Sequence, residues 1–216
     1  MLVPAIAADP ADCAAGLPDS HVVKLIAESL QIVSTVLPAL LSAAELEAVG
    51  RLLLRPTHQH HPYTRWAAGG RAHAMWLVRL GGALCAEKRR RWPANAPHQY
   101  EPCYAELDAR LPPDMRQLPA ALPETSLPVV CTSAASVPDE QQRRLIAATA
   151  AAGQRTRAFQ LYYVVAKRRL WRFGGAAETA ARRVAKRTQR PTAWPVPEPW
   201  ASLVLAEHER RVCSLL

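Results

Sequence analysis

The sequence predicts an all-α fold, and three observations carry that expectation. Half of the 216 residues are hydrophobic, yet only 6% are aromatic, and alanine supplies 40 of them; small apolar side chains favour helix. Apolar residues recur at helical spacing in several long segments. The alternating Val/Ile/Thr/Tyr runs of a β-sandwich are almost absent. At this length one compact domain is expected. We place it over residues 1–200, with a helix from 201 to 216 at the end.

Residues 1–18 are apolar and interrupted by Pro4, Pro10 and Pro18, so they read as an extended entry with at most one short edge strand. Asp19 or Ser20 can cap a helix over 21–37, which Pro38 keeps from running on cleanly. Ser42-Ala-Ala-Glu45 is a capping box that opens a helix reaching about Leu54. Pro56 to Tyr63 is a histidine-crowded turn. A long helix follows over 64–91, with the stripe Trp66, His73, Leu77, Leu80 and Leu84. Gly69-Gly70 and Gly81-Gly82 mark kinks or close helix contacts within it. Residues 93–138 hold nine prolines, which is loop chemistry with short helices at most. Pro138-Asp139-Glu140 starts another helical stretch, which Gly153 breaks. Its second part, to Phe173, carries the stripe Phe159, Tyr162, Tyr163, Ala166, Leu170 and Phe173, and Gly174-Gly175 ends it. Residues 174–187 form a short basic insert. Four prolines and two tryptophans in 191–200 suit a surface strap.

Charge is concentrated rather than spread. The chain carries +9, and 23 of its 27 basic residues are Arg. Residues 141–190 hold 13 basic residues against the single acid Glu178, so that segment is +12 and the remainder sums to −3. One basic face suggests a polyanion: nucleic acid first, a membrane surface as its rival. The five cysteines form no CxxC pair and are odd in number, which fits a reducing compartment. The first 15 residues lack a signal-peptide pattern, and no run nears 18 consecutive apolar residues. The expectation is a soluble intracellular protein that works away from the membrane.

Chemistry can be placed on the first long helix. His21, Lys24, Glu28, Gln31 and Thr35 fall within an arc of roughly 80° on a helical wheel. Val22, Leu25, Ile26, Val33, Val36 and Leu37 occupy the opposite arc. Two readings stand side by side. One is a solvated face with an ordinary Lys24–Glu28 pair. The other is a cleft-lining ridge on which Glu28 does acid/base or electrostatic work. The turn His58-Gln-His60-His61 has no companion ligands at metal spacing and lacks the HEXXH helix, so no metal or other cofactor is expected. Its imidazoles suit hydrogen bonding or phosphate contact. Tyr162, Tyr163, Lys167, Arg168, Arg169, Trp171 and Arg172 interleave aromatics with cations. Tyr163 sits on the apolar stripe, while Arg168 and Arg172 point away from it, as in a helix facing phosphates. Phosphate-cradling glycine loops, GxSxG and the dinucleotide fingerprint are all missing.

Taken together, six ordered blocks resemble one family. Asp19-Ser-His21-Val-Val-Lys24-Leu-Ile-Ala-Glu28-Ser-Leu-Gln31 resembles the "DKHVVKMxxExxQ" helix of small proteins from phages, large viruses and bacteria. Pro56-Thr-His58-Gln-His60-His61-Pro62, then Trp66 and Trp76-Leu77, resembles their "PTHxNHPxxxW…WL" segment. Leu84-Cys85-Ala-Glu87 is similar to "LCxE", and Pro138-Asp139-Glu140 to "MPDEY". Ala158-Phe159-Gln-Leu-Tyr162-Tyr163 with Lys167 and Trp171 resembles "AYRNYYxxxKxxFxxW". Pro195-Val-Pro-Glu198 resembles "RPVPEW". The opening helix in turn resembles that of phage pyrimidine-dimer DNA glycosylase/AP-lyases, where a catalytic Glu follows a His by seven residues, as Glu28 follows His21.

That second resemblance implies a reaction. An N-terminal amine would form a Schiff base at the sugar C1′ carbon, and the Glu would assist base loss and elimination. The amine would here be that of Met1, because Leu2 disfavours its removal. His21, Lys24 and Gln31 would position sugar and phosphate; His58, His61, Arg71, Lys167, Arg168 and Arg172 would contact nucleic acid, DNA before RNA. The chain also departs from the pattern: Ser20 and His60 replace the family's Lys and Asn, Ala27 replaces the Arg before the catalytic Glu, and Ala68, Gly70, His73 and Ala74 replace polar positions. Two alternatives therefore stay open. One is a non-enzymatic nucleic-acid-binding protein on the same scaffold; the other is an inactive protein that binds an acidic partner.

Overall fold

The computed structural model describes residues 3–130 and 132–166 of the chain. Among these residues the fold is all-α: 66% are helical and none forms a strand. Nine α-helices follow in chain order: α1 (Pro10–Gly16), α2 (Asp19–Leu40), α3 (Ala43–Val49), α4 (Pro62–Ala67), α5 (Arg71–Arg91), α6 (Glu101–Arg110), α7 (Pro113–Arg116), α8 (Glu140–Ala151) and α9 (Arg155–Ala166). The central pair is α2 lying along α5, with α1 and α6 also against α5 and α8 beside α9.

The entry segment is not a strand, and α1 takes its place. Asp9 caps it, accepting from the Ala11 (2.7 Å) and Asp12 (3.3 Å) amides, and Pro10 occupies the first turn. Proline is favoured there, because its fixed φ is pre-set and its missing N–H would be unpaired anyway. The prolines that suggested extended chain thus include one that starts a helix. α2 also exceeds its expected bounds. Pro18 holds the cap position and Asp19 is its first residue; the Asp19 carboxylate binds Arg91 at 2.8 Å. Pro38 lies within the helix, but in its last turn, where the missing N–H removes a single bond. α2 is long and apolar enough, by length and composition, to cross a membrane; over half of the relevant window is buried among the other helices.

The stretch expected as one helix over 64–91 is two. His61 caps α4 with its Nδ1 accepting from the Tyr63 amide (3.2 Å). Gly70, at φ 156°, then opens α5. At Gly69 a β-carbon would stand 3.0 Å from both His73 Nδ1 and the Trp66 carbonyl, so a larger residue there would be crowded. Trp66 is half-buried rather than a core residue. Its ring stacks on His73 (centroids 4.9 Å apart), and its indole N–H donates to the Ser126 carbonyl (2.8 Å). Leu77, Leu80 and Leu84 are fully buried as expected. Gly81 marks a close contact. Its missing side chain makes room for the ring of Tyr104, whose hydroxyl donates to the Ile26 carbonyl at 2.6 Å. One glycine therefore joins α5, α6 and α2.

The capping box at Ser42 forms in both directions, and α3 passes into a 3-10 turn over Gly50–Leu52. Among the described residues between 93 and 138, α6, α7 and a 3-10 turn over Glu124–Ser126 are the regular elements. Asp139 caps α8 by accepting from the Gln142 amide, and Gly153, at φ 82°, separates α8 from α9. The expected continuation of α9 to Phe173, the basic insert, the strap and the terminal helix lie outside the described residues.

Candidate functional site

The polar ridge of α2 lies against other elements for most of its length. At one end His21 is 7% exposed. Its Nδ1 is 2.5 Å from the hydroxyl of Tyr163 on α9, the rings meeting edge to face at 5.3 Å. Tyr163 is fully buried. Burial first, then the nearby Cys13, Tyr162, Tyr63 and Glu28, holds its hydroxyl well above the usual phenol range, so the phenol keeps its proton. At the other end Thr35 grips the histidine turn. Its hydroxyl accepts from the Thr57 amide (3.1 Å), and its one proton lies within reach of both the Gln31 carbonyl of its own helix (2.8 Å) and the Thr57 carbonyl (3.0 Å). One residue back, the Ser34 hydroxyl accepts from the Leu54 amide at 2.9 Å. Threonine and serine serve here because their short hydroxyls can satisfy loop backbone groups without leaving the helix face.

Glu28 stands between these two anchors. Its carboxylate lies 3.3 Å from the Lys24 ammonium; the Glu28 side chain is 16% exposed and that of Lys24 61%. The Glu28 charge is felt at Tyr163 on one side and at His61 on the other. Gln31 is half-buried a turn further on. The ridge thus differs from the solvated face that its composition allowed. Lys24 reaches solvent, His21 and Thr35 are engaged with other elements, and Glu28 is mostly enclosed.

The histidine turn adjoins the Thr35 end of the ridge. His61 N–H donates to the His58 carbonyl at 2.9 Å, closing the turn, and His58 adopts φ 54°, a left-handed conformation uncommon for any residue but glycine. His58 and His60 are exposed and His61 is half-buried. Burial, helped by the His58 charge and opposed by Glu28, lowers the His61 pKa below its ordinary value. Its cap bond uses Nδ1 as the acceptor, so the neutral ring carries its proton on Nε2.

Arg71 is placed elsewhere. Its Nε donates to the Leu40 carbonyl (3.1 Å), and its terminal nitrogens bind Asp114 (2.7 Å) and Glu45 (3.0 Å). The guanidinium expected to meet nucleic acid thus clamps the ends of α2, α3 and α7 together. Met1, Lys167, Arg168 and Arg172 lie outside the described residues. Among those described, no three His, Cys, Asp or Glu side chains converge as metal ligands would.

Two features went unread in the sequence. Tyr163 was assigned to the apolar stripe, and its ring is indeed buried. A buried phenol nonetheless needs a hydrogen-bond partner, and His21 was the polar group available. Arg91 closes a run of four cations at the end of α5, a pattern common at solvated helix ends. It is instead 2% exposed, bound to Glu87 (2.6 Å), Asp19 (2.8 Å) and the Ala15 and Leu17 carbonyls.

The chain was compared with protein-family models, with curated proteins and with solved structures, and it matches none of them.

Proposed function

We propose that the protein acts on nucleic acid, as a DNA glycosylase/lyase-like enzyme working on a damaged or modified base with Glu28 as its catalytic carboxylate. The observation that carries this reading is the placement of Glu28. A mostly enclosed carboxylate stands on the polar ridge of α2, between His21, bonded to Tyr163, and Thr35, bonded to the histidine turn. Such an acid can stabilise positive charge on a sugar as its glycosidic bond breaks, or can move a proton. His21, held by Tyr163, and Lys24 flank it. The target base would have to leave the stack to reach it.

The lyase step needs an amine. Attack on C1′ forms the C–N bond as the base departs with the glycosidic electron pair and takes up the proton that the amine loses. The nitrogen lone pair then opens the sugar ring at the C1′–O4′ bond, O4′ takes a proton, and C1′ becomes doubly bonded to nitrogen. The resulting imine is what borohydride reduces to a stable secondary amine. Met1 is the candidate nucleophile on the resemblance alone. The cations of 141–190 support affinity for the phosphate backbone.

That basic segment also favours the second reading, a non-enzymatic nucleic-acid-binding protein. One experiment separates the two: incubation with duplexes carrying assorted modified bases, with and without borohydride. Base release with a trapped adduct supports the enzyme. Binding without release on every duplex leaves only the binding protein.

A further inference from the structure

Charge in the middle of the chain is one-sided. Between Glu47 and Glu87 there is no acidic residue, while five arginines occur. Three of them serve the fold. Arg51 pairs with Glu106, Arg71 clamps three elements, and Arg79 donates to the Arg116, Leu118 and Pro119 carbonyls. Arg55 and Arg65 remain. Both are exposed, and neither forms an ion pair among the described residues. They bracket the histidine turn in sequence, and that turn lines an open depression from Pro56 to His61.

The turn is built to keep its shape. Thr35 and Ser34 hold its leading strand on α2, and the His58–His61 bond closes it. His58 keeps a strained left-handed backbone that glycine would adopt without cost. Strain retained at an exposed imidazole points to a constraint other than folding. The turn is fastened to α2 at Thr35, on the same polar ridge that carries Glu28. Any polyanion brought to Glu28 is repelled by it, so cations are needed on both sides. Lys24 supplies one side.

We infer that Arg55, His58, His60 and Arg65 form a phosphate-binding rim, which seats the backbone of a nucleic-acid strand beside Glu28. This rests on the reading of Glu28 as part of a nucleic-acid site. Arg55 adjoins Pro56 at one end of the depression, and Arg65 follows one turn beyond His61, whose carbonyl accepts from the Arg65 amide at 3.0 Å; cations and ring N–H donors so ordered suit successive phosphodiesters. A lipid surface would call for apolar residues that insert beside the cations. Among the described residues the exposed large hydrophobics, Val23, Val129 and Leu145, lie outside this turn.

The test uses the full chain and a fluorescent duplex carrying a tetrahydrofuran abasic analogue, which cannot be turned over. Affinity is measured by anisotropy from low to physiological salt. Arg55→Gln/Arg65→Gln should weaken binding about tenfold and flatten the log–log salt slope by about two units. Arg55→Lys/Arg65→Lys should restore the slope, and His58→Gln/His60→Gln should weaken binding with a smaller change in slope. Circular-dichroism melts of these exposed variants should match wild type. An unchanged affinity and slope in the double Gln variant overturns the rim. If that variant keeps wild-type affinity while Glu28→Gln abolishes turnover, the rim alone fails and the enzyme reading stands. If the wild type binds no duplex even at low salt, both fail. Binding to phosphatidylglycerol vesicles that depends on Arg55 and Arg65, with a rim-independent DNA slope, assigns the surface to lipid and overturns the inference.

Discussion

At the scale of single residues, the ridge of α2 was readable because five polar side chains share one narrow arc on an apolar helix. What was not readable was its surroundings. A period of 3.6 tells which side chains share a face but not what faces them. Tyr163 shows the difference: its spacing put it in the core, and only the packing of α9 brought its hydroxyl to His21. Tyr163→Phe removes that partner from a buried imidazole and should cost about 1–3 kcal/mol, read as a lower urea midpoint. An unchanged midpoint would mean that His21 is satisfied without the phenol. Gly81 is the second residue-scale case. Tandem glycines announced a kink or a close contact, and Gly81 is a contact. A β-carbon there would lie 1.9 Å from Tyr104 Cε1 and 2.0 Å from Cζ. Gly81→Ala should destabilise by about 1–3 kcal/mol through forced displacement of the ring. A wild-type melt would show that Tyr104 can swing aside and that its bond to Ile26 contributes little.

Among the elements, helix type and order were more legible than helix ends. The capping box at Ser42, the start of α8 at Asp139 and the break at Gly153 follow local rules and occur where those rules put them. The missed α1 and the split of 64–91 have local causes that could be weighed in more than one way. Pro10 both breaks extended chain and starts a helix, and Gly69-Gly70 can bend a helix or end it. The joint between α1, α2 and α5 was invisible, because Arg91 sits in a run of cations that resembles a solvated helix end. Its buried guanidinium takes two carboxylates and two carbonyls from three elements. Arg91→Met leaves Glu87 and Asp19 without that charge and should cost about 3–5 kcal/mol. Chemical denaturation checks this, and a loss below about 1 kcal/mol would mean that the network adds little to stability.

For the whole molecule, acid should destabilise the fold in a stated window. Burial holds His61, His73 and His98 below the ordinary imidazole value of 6.5. The unfolded chain then binds more protons than the folded one, so stability rises with pH through this range. It should be fully present above about pH 6.5 and fall as pH drops below it. Glu87, whose burial is outweighed by its bonds to Arg90 and Arg91, is held below its ordinary 4.5, so a further loss follows below about pH 4.5. A melting temperature that is flat from pH 7.5 to 5 would contradict the histidine part. Charge acts at the same scale. If the +12 segment seats phosphates, Arg168→Ala/Arg172→Ala should weaken DNA binding and flatten the salt slope by about one to two units. Salt-independent binding would remove phosphate as the partner.

The central claim is that Glu28 performs chemistry on a nucleotide, and the most direct measurement is a paired assay of wild type and Glu28→Gln. Both proteins are incubated with duplexes bearing assorted modified bases, with borohydride present in one arm, while DNA affinity and melting temperature are recorded in parallel. The substitution keeps shape and hydrogen-bonding reach but removes the charge. The account predicts base release and a trapped adduct for the wild type. For the variant it predicts turnover lower by about two to four orders of magnitude, with affinity nearly intact. If the wild type leaves every base in place and Glu28→Gln only lowers the melting temperature, Glu28 is a structural partner of Lys24, and the site is not catalytic.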